Sequence, residues 1–200
     1  MDNNSAMMVD AIFDVSGKTP APGYHFSLWE SLVSLLPVLE TDQSIGVIPL
    51  RTSSSAAGML LPKRAKMTLR LPSNIAEQAT QLCGMQLDID DGKLQLGNLK
   101  FRTIQAYPTL HAHLVNSDED EVSFIQGVSA RLAELGVDAK LICGLRNHWV
   151  SPMRTLSGFS LVTHDLKPDA SLQLQYCGLG AERRYGCGIF VPYKVISDLD

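Results

Sequence analysis

The stretch GLGAERRYGCGIF, residues 178–190, places four glycines and two adjacent arginines directly before an apolar segment. Glycine permits a positive φ and lets a ligand approach the backbone closely, so the amides of such a loop can contact phosphate groups. Arginine side chains add positive charge and hydrogen-bond donors suited to phosphate. The residues predicted to bind phosphate in this stretch are Gly178, Gly180, Arg183, Arg184 and Gly186.

Two other interpretations of this stretch compete with phosphate binding. A dinucleotide-binding fingerprint needs G-x-G-x-x-G after a strand and at the start of a helix. Here the spacing is G-x-G-x5-G-x-G and an apolar strand pattern follows, so this interpretation fails. A flexible hairpin with solvated arginines remains as the alternative.

A second group of cations lies in LPKRAKMTLRLP, residues 61–72. From residue 66 onward, apolar and polar side chains alternate, which predicts a β-strand with its bases on one face. Such a strand can lie along a nucleic-acid backbone and contact its phosphates. A solvated sheet face without a ligand is the alternative. The cations predicted to bind the backbone are Lys63, Arg64, Lys66 and Arg70.

The apolar patterns of the N-terminal half predict a βαββαβ order with a hairpin extension. Large apolar residues recur at helical spacing in one segment and alternate or cluster in the others. Ser73 is predicted to cap a short helix that Gly84 ends. The other predicted segments are strands at 8–15, 44–50 and 66–72, a helix at 24–36, and a hairpin at 87–96 around Asp91-Gly92.

The C-terminal half repeats this order of elements. Ser117 with Asp120 predicts a capping box at the start of a helix, and Gly136 predicts its end. The acidic residues 118–121 then lie favourably at the positive end of the helix dipole. The segment from Pro168 has features of both helix and strand, and helix is preferred because proline suits a first turn. Strands are predicted at 110–116, 138–145, 155–163 and 188–194.

The repeated order predicts an α+β protein with two tandem ferredoxin-like (βαββαβ) domains, a fold that hosts many functions. We expect an N-terminal ferredoxin-like domain over 1–108. A C-terminal domain is expected over 109–200, with its glycine-rich loop at 178–188.

Composition excludes several classes of protein. The 200 residues are 45% hydrophobic and 19% charged, which is typical of a globular chain rather than a disordered one. The four cysteines form no C-x-x-C pair, which argues against a zinc site or a disulfide framework. The first residues have neither a basic region nor a long apolar run, so we expect a cytoplasmic protein without a membrane partner. No metal site or cofactor is predicted.

These motifs resemble the repeat-associated mystery protein superfamily of CRISPR systems. The loop reads G-x-G-x-x-R-x-x-G-x-G and precedes an apolar strand, as in the precursor-RNA-processing endoribonucleases of the Cas-six family. GLGAERRYGCGIFVP, FDVSGKTPAPGYHFSLWESLVSLLP and GVIPLR are similar to the subfamily first described from myxobacterial loci. The resemblance covers essentially the whole chain.

The resemblance implies that the protein binds CRISPR repeat RNA, both as guide-RNA precursor and as product. It also implies metal-independent cleavage of one phosphodiester, leaving a 2′,3′-cyclic phosphate and a 5′-hydroxyl. Other Cas effector subunits become candidate partners on the same basis. A non-catalytic RNA-binding subunit of a CRISPR effector complex is the alternative, since it could share the fold and the loop.

Cleavage of this kind needs a base for the ribose 2′-hydroxyl, an acid for the leaving oxygen and a cation at the phosphate. Histidine suits either proton transfer at neutral pH. In the family the histidine often lies in the loop before the first helix or in its first turn, and His25 has that placement. Tyr24 is a second candidate, able to hold or protonate the scissile group.

Three further histidines, His111, His113 and His148, leave alternatives open. His111 and His113 share one strand face and suit a core or a sheet surface as well as catalysis. His148 lies beside Trp149 in a predicted turn, where either ring could stack on a base, although burial is the preferred interpretation for Trp149. A two-histidine phosphoesterase would need a second H-x-[ST] motif besides that at His25, and none of the remaining histidines supplies one.

Overall fold

The computed structural model describes residues 7–18, 20–55, 58–90 and 92–193. The elements of its N-terminal half are β1 (Met8–Gly17), α1 (His25–Leu35), a 3-10 segment (Pro37–Glu40), β2 (Gly46–Ile48), β3 (Ser53–Ser55), β4 (Gly58–Leu60), β5 (Lys66–Pro72), a second 3-10 segment (Ala76–Leu82), β6 (Gln86–Ile89) and β7 (Gly92–Thr103). β3 and β4 pair with each other in a two-stranded sheet.

The first sheet has the strand order β2-β5-β1-β7-β6, and its pairs are antiparallel. When β1, β2, β5 and β7 are taken as the four strands of the βαββαβ pattern, the sheet order is second, third, first, fourth. β6 extends the sheet, as the hairpin signal predicts. The alternation predicted for β5 is confirmed on its apolar face, because Met67, Leu69 and Leu71 are buried.

The short helix predicted after Ser73 forms a 3-10 segment, Ala76–Leu82, rather than an α-helix. Ser73 does not cap it, since the N-cap position belongs to Ile75 and no side chain caps the segment. The carbonyl of Ser73, not its hydroxyl, accepts a bond from the Ala76 N–H at 3.4 Å. The Ile75 N–H likewise donates to the Pro72 carbonyl at 3.1 Å, so the three-residue spacing of a 3-10 helix begins at Pro72.

The C-terminal half contains β8 (Leu110–Asn116), α2 (Glu121–Glu134), β9 (Lys140–Val150), β10 (Thr155–His164), α3 (Pro168–Cys177), a 3-10 segment (Arg183–Tyr185) and β11 (Val191–Pro192). Its sheet has the order β11-β8-β10-β9. Its four strands therefore lie in the order fourth, first, third, second. Each half thus folds strands and helices of a βαββαβ pattern into one sheet, which confirms the predicted α+β fold class.

The cap of α2 differs from the predicted capping box. Asp120 is itself the N-cap, and its Oδ1 accepts bonds from the N–H groups of Val122 at 2.9 Å and Ser123 at 3.0 Å. Ser117 instead accepts a bond from the Glu119 N–H at 3.2 Å. A carboxylate at this position both satisfies free amides and complements the helix dipole. The helix preference at Pro168 is confirmed by α3.

The chain divides into two compact units. The first unit comprises Met1–Ile104, His148–Leu156 and Glu182–Gly186, and the second comprises Gln105–Asn147, Ser157–Ala181 and Cys187–Asp200. The predicted ferredoxin-like domain limits at 1–108 and 109–200 stay a prediction, because these units reflect compactness rather than the repeated fold. Within the described residues, no helix is both long enough and apolar enough to cross a bilayer.

Each unit has its own apolar core. In the first unit β1, β5 and the inner face of α1 supply fully buried side chains, among them Phe13, Met67 and Leu32. In the second unit α2 and α3 pack on β8 and β10 through side chains that include Phe124, Phe159 and Leu174. Burial of this apolar area is the main force that holds each sheet to its helices.

Candidate nucleic-acid interface

The loop before α1 positions His25 as the first residue of the helix. Gly23 precedes it with a φ of +89°, and a Cβ there would lie 2.0 Å from the Val150 carbonyl oxygen. Only glycine fits both the conformation and the space. Residues 148–156 belong to the same unit as this loop, so the contact is made within the first unit. The glycine thereby brings the start of α1 against the end of β9.

His25 lies between two aromatic rings, an arrangement called here the histidine stack (Tyr24, His25 and Trp149). The imidazole is 4.1 Å from the Tyr24 ring centroid and 3.8 Å from that of Trp149, with interplanar angles of 25° and 10°. His25 is only 8% exposed, because it lies on the buried face of α1 with Leu28, Trp29 and Leu32. The stack covers the faces of the imidazole and not its edge, where both nitrogens lie. Its catalytic role stays a prediction.

Tyr24 has a structural partner for its hydroxyl. Its Oη accepts a bond from the Leu50 N–H at 2.7 Å, and the residue is 4% exposed. Burial raises the pKa of Tyr24 well above its usual value, because the charged phenolate would lose its hydration. These features favour a role in holding the loop before α1. The predicted catalytic role of Tyr24 stays a prediction.

Four residues form what we call the arginine–tyrosine cluster: Arg154, Glu182, Arg184 and Tyr185. The guanidinium groups of Arg154 and Arg184 lie 5.0 Å and 5.1 Å from the Tyr185 ring centroid. Glu182 pairs with both arginines. The tyrosine ring also contacts Phe26 of α1, with centroids 4.9 Å apart. The cluster is therefore connected to the residue that follows His25.

A tight turn fixes Arg154 between β9 and β10. The Ser151 N–H donates to the Arg154 carbonyl at 2.8 Å, and the Arg154 N–H donates to the Ser151 hydroxyl at 3.0 Å. The Arg154 Nη1 donates in turn to the Tyr185 hydroxyl at 3.2 Å. The turn between β9 and β10 thus brings the Arg154 guanidinium to the cluster, a position that the sequence alone did not predict.

The two adjacent arginines of the glycine-rich loop have different environments. Arg183 is 5% exposed, and its Nε donates to the Ser44 carbonyl at 2.9 Å. The Arg184 side chain is 46% exposed. Burial of Arg183 disfavours its predicted phosphate contact, because its guanidinium lies inside the first unit and anchors the turn. The prediction remains open for Arg184.

The predicted phosphate-binding glycines all have positive φ values, and Gly186 also permits a close approach between two backbone segments. Gly186 has a φ of +97°, and a Cβ there would lie 2.9 Å from the Val47 carbonyl oxygen. In the second unit Gly178 and Gly180 also have positive φ values, of 66° and 73°. Gly180 borders a groove of about 280 Å³, whose other lining residues include Asn116 and Arg131. Phosphate binding by these glycines stays a prediction.

The cations of residues 61–72 are partly neutralised within the first sheet. Arg70 is predicted to contact phosphate, but it lies opposite Asp10 of β1 and bonds to both carboxylate oxygens, at 2.8 Å and 3.2 Å. The Arg70 and Asp10 side chains are each 1% exposed. This burial removes Arg70 from the surface that a backbone could reach in this conformation. This arrangement disfavours the predicted phosphate contact of Arg70, because β1 supplies an acid opposite it, and the contact stays a prediction.

Three of these cations remain at the surface. Lys66 pairs with Asp14, and this ammonium partner lowers the pKa of the Asp14 carboxyl. The Lys66 side chain is nevertheless 50% exposed. Lys63 and Arg64 are exposed in the preceding turn and line, with Lys66, a cleft of about 430 Å³. Their predicted contact with a nucleic-acid backbone stays a prediction.

The other histidines do not join the histidine stack. His111 and His113 lie on β8 of the second unit with ring centroids 4.8 Å apart, and burial lowers the pKa of His111. His148 is exposed. Over residues 7–193 with the gaps given above, no group of three or more His, Cys, Asp or Glu side chains could hold a metal ion.

Sequence reasoning missed Glu182 and Tyr185 as parts of the site. Both lie inside the quoted glycine-rich stretch, between residues that the motif selected. Aromatic residues beside arginine are a signal for cation–π pairing, which would have directed attention to Tyr185. Glu182 had no comparable signal, because its pairing with Arg154 depends on a hairpin 28 positions away.

Residues 9–195 match the protein family described as "Cas6 Crispr". The chain is 32% identical over 191 residues to a CRISPR-associated endonuclease Cas6 of Myxococcus xanthus (strain DK1622), covering 94% of this chain and 83% of that protein. It is similar in fold to the product of a Cas6-related gene from Pyrococcus furiosus, with a TM-score of 0.60 at 12% identity, covering 97% of this chain and 100% of that one.

Two further solved structures have the same fold. A RAMP protein that binds different RNA substrates has a TM-score of 0.62 at 10% identity, covering 92% of this chain and 98% of that one. Thermus thermophilus Cse3, bound to an RNA representing a pre-cleavage complex, has a TM-score of 0.55 at 11% identity with the same two coverages. Similarities at these identities establish the tandem ferredoxin-like fold alone.

Proposed function

The chain belongs to the Cas6 family, and we propose that it is an endoribonuclease that binds CRISPR repeat RNA and cleaves the precursor transcript into guide RNAs. The observation that carries this proposal is the position of His25, stacked at the start of α1 and connected through Phe26 to a cluster with two half-exposed arginines. The reaction would take place in the cytoplasm, where the transcript is made.

The proposed chemistry is a transesterification by side-chain proton transfer, without a metal ion or a cofactor. The ribose 2′-hydroxyl loses its proton to a base, and its oxygen attacks the adjacent phosphorus. The P–O5′ bond breaks as the 5′-oxygen gains a proton, so the products are a 2′,3′-cyclic phosphate and a 5′-hydroxyl. An imidazole can supply either proton transfer near neutral pH, and this is the role proposed for His25.

Stacking supports this role because it fixes the plane of the imidazole. The Trp149 and Tyr24 rings cover the two faces of the imidazole, so they restrict its rotation about the side-chain bonds of His25. A base whose orientation is fixed before substrate arrives loses less conformational entropy in the transition state. Arg184 and Arg154 are the cations proposed to stabilise charge on the phosphate.

RNA binding is proposed to extend over the exposed cations of residues 63–66 and the glycine-rich loop. Lys63 and Arg64 are exposed, and Lys66 keeps half of its side chain in solvent. Contacts of this kind position an RNA backbone without reading its sequence. Other Cas subunits are proposed partners on family membership alone.

The second candidate is a non-catalytic RNA-binding subunit. Burial of His25 at 8% exposure favours this alternative, since a base must reach the 2′-hydroxyl. Burial of the Tyr24 hydroxyl is consistent with it. Cleavage therefore has to be tested separately from binding.

The test incubates the protein in EDTA with a repeat RNA encoded beside its gene. We expect a product that ends in a 2′,3′-cyclic phosphate, and no product from an RNA with 2′-deoxyribose at the cleaved linkage. His25→Ala should reduce the single-turnover rate by about 10²- to 10⁴-fold while RNA affinity is retained. His148→Ala, which removes an exposed histidine of the same unit, should cut normally.

The outcomes separate the two candidates. Binding without cleavage by the wild type would favour the non-catalytic subunit. Cleavage by His25→Ala at the wild-type rate would show that another residue transfers the proton, while the endoribonuclease assignment stands.

A further inference from the structure

Glu182 lies between the two exposed arginines of the arginine–tyrosine cluster. One carboxylate oxygen, Oε1, accepts a bond from Arg154 Nη2, and the other, Oε2, accepts a bond from Arg184 Nε at 3.2 Å. Each oxygen therefore holds a different guanidinium. Two oxygens of an RNA phosphate could be held by the same pair of groups, since guanidinium donors suit carboxylate and phosphate alike.

Glu182 begins the Arg183–Tyr185 turn in an unusual backbone conformation. Glu182 has φ 65° and ψ 32°, in the left-handed region that residues other than glycine rarely adopt. It occupies the N-cap position of the Arg183–Tyr185 turn but makes no side-chain cap bond. Its side chain thus pairs with arginines instead of completing the turn that it begins.

The arginines are open to a competing anion, whereas the carboxylate is enclosed. The side chains of Arg154 and Arg184 are 39% and 46% exposed, and that of Glu182 is 16% exposed. The Tyr185 ring supports both guanidiniums. Arg154 also donates to the Tyr185 hydroxyl. These contacts do not involve Glu182, so the two cations would keep their places if the carboxylate were displaced.

We propose that Glu182 occupies the position of an RNA phosphodiester and is displaced when RNA binds. The inference rests on the proposed function, because it requires RNA at this cluster. In the absence of RNA, the carboxylate pairs with Arg154 and Arg184, offsets one of their two positive charges and lowers the affinity of the protein for polyanions. RNA binding then exchanges one anion for another, and the loss of the two ion pairs reduces the observed affinity.

The test compares Glu182→Gln with the wild type in binding to repeat RNA and to a scrambled RNA of equal length over a series of salt concentrations. Both RNAs should bind about 3- to 10-fold more tightly to the variant at low salt, because two exposed ion pairs no longer oppose binding. The ratio of the two affinities should stay the same, since a phosphate contact carries no sequence information.

Glu134→Gln is the matched control. Glu134 pairs with Arg131 at 2.7 Å on α2, both side chains being more than half exposed, and its loss changes the net charge by the same amount. We expect its affinity to differ from the wild type by less than about 2-fold, the size of a general charge effect. Glu182→Asn is a second variant, because asparagine tolerates the left-handed conformation, and it should also bind more tightly.

The outcomes distinguish this inference from the proposed function. Unchanged or weaker RNA binding by both Glu182 variants, with a wild type that binds repeat RNA, would overturn the inference and leave the endoribonuclease assignment intact. Equal tightening by Glu134→Gln would overturn it as well, since the effect would then be one of net charge. Failure of the wild type to bind repeat RNA would overturn both.

Discussion

Strand β5 and the arginine–tyrosine cluster both carry arginines paired with acids in the first unit, but only the cluster leaves its arginines in contact with solvent. Arg70 of β5 is 1% exposed beside Asp10, which is equally buried. Arg184 is 46% exposed beside Glu182. A buried pair is part of the fold, and its charge is not available to a ligand. An exposed pair is weak and can exchange partners.

The difference shows that the number of cations in a segment does not locate a phosphate site. β5 and β1 are antiparallel neighbours, and their register places Asp10 opposite Arg70 and Asp14 opposite Lys66. Arg70 and Lys66 of β5 are therefore paired with acids of β1, although the sequence of β5 alone predicts two cations that could bind RNA. At the cluster the same kind of pairing is made at the surface, where an anion can compete for it.

The largest effect should follow from removing the buried cation. Arg70→Ala deprives the buried Asp10 carboxylate of two bonds and leaves it the pairing with Arg102, so we expect the free energy of unfolding to fall by about 3–5 kcal/mol. Arg102→Ala is the control, since its side chain is 60% exposed and its loss should cost less than about 1 kcal/mol. Urea denaturation of both variants measures this. Equal losses would contradict the assigned difference between buried and exposed pairs.

A smaller effect is expected at the turn that holds the cluster. Gly186→Ala adds a Cβ 2.9 Å from the Val47 carbonyl oxygen at a φ of +97°, so we expect about 2–4 kcal/mol of destabilisation. Gly136→Ala shares a positive φ, +67°, but has open space around its Cβ, and about 1 kcal/mol is expected. Thermal unfolding distinguishes them. If both variants lose the same free energy of unfolding, the close approach of Gly186 to β2 does not contribute to the destabilisation.

The smallest effect concerns RNA affinity directly. Arg184→Gln should weaken repeat-RNA binding about 3- to 10-fold and reduce the slope of log K against log salt by about 0.7, the value for one phosphate contact on single-stranded RNA. Lys66→Gln should change both quantities less, because Lys66 has the Asp14 carboxylate as its own partner, whereas Arg184 shares the single carboxylate of Glu182 with Arg154. Filter binding at several salt concentrations measures both. A larger effect of Lys66→Gln than of Arg184→Gln would show that β5, rather than the arginine–tyrosine cluster, makes the stronger contact with RNA.

Much of the fold could be predicted from sequence because its signals are local. The apolar alternation of β5, the helical spacing in α1 and the proline at the start of α3 each act within a few residues. The errors concern the same short range. Ser73 and Ser117 were predicted to cap helices, but the N-cap residues are Ile75 and Asp120. The family resemblance predicted from the loop and the first helix is confirmed.

The candidate site was predictable in part. His25 was selected by its placement, and the structure adds that Trp149, far along the chain, covers its ring. The exposure of Arg184 agrees with the sequence prediction of a surface cation, whereas the burial of Arg183 does not. Glu182 could not have been selected, since an acidic residue in a loop is usually solvated.

Local pattern was enough for the repeated order of elements, the glycine-rich loop and the family, because each depends on residue types at short, fixed spacings. Packing between distant segments decided that Arg183 is buried as an anchor while the adjacent Arg184 stays at the surface. Arg183 bonds to the carbonyl of Ser44, 139 positions earlier, and no local spacing encodes that contact. Burial is a property of the folded neighbourhood, so it separates side chains that are chemically identical and adjacent in sequence.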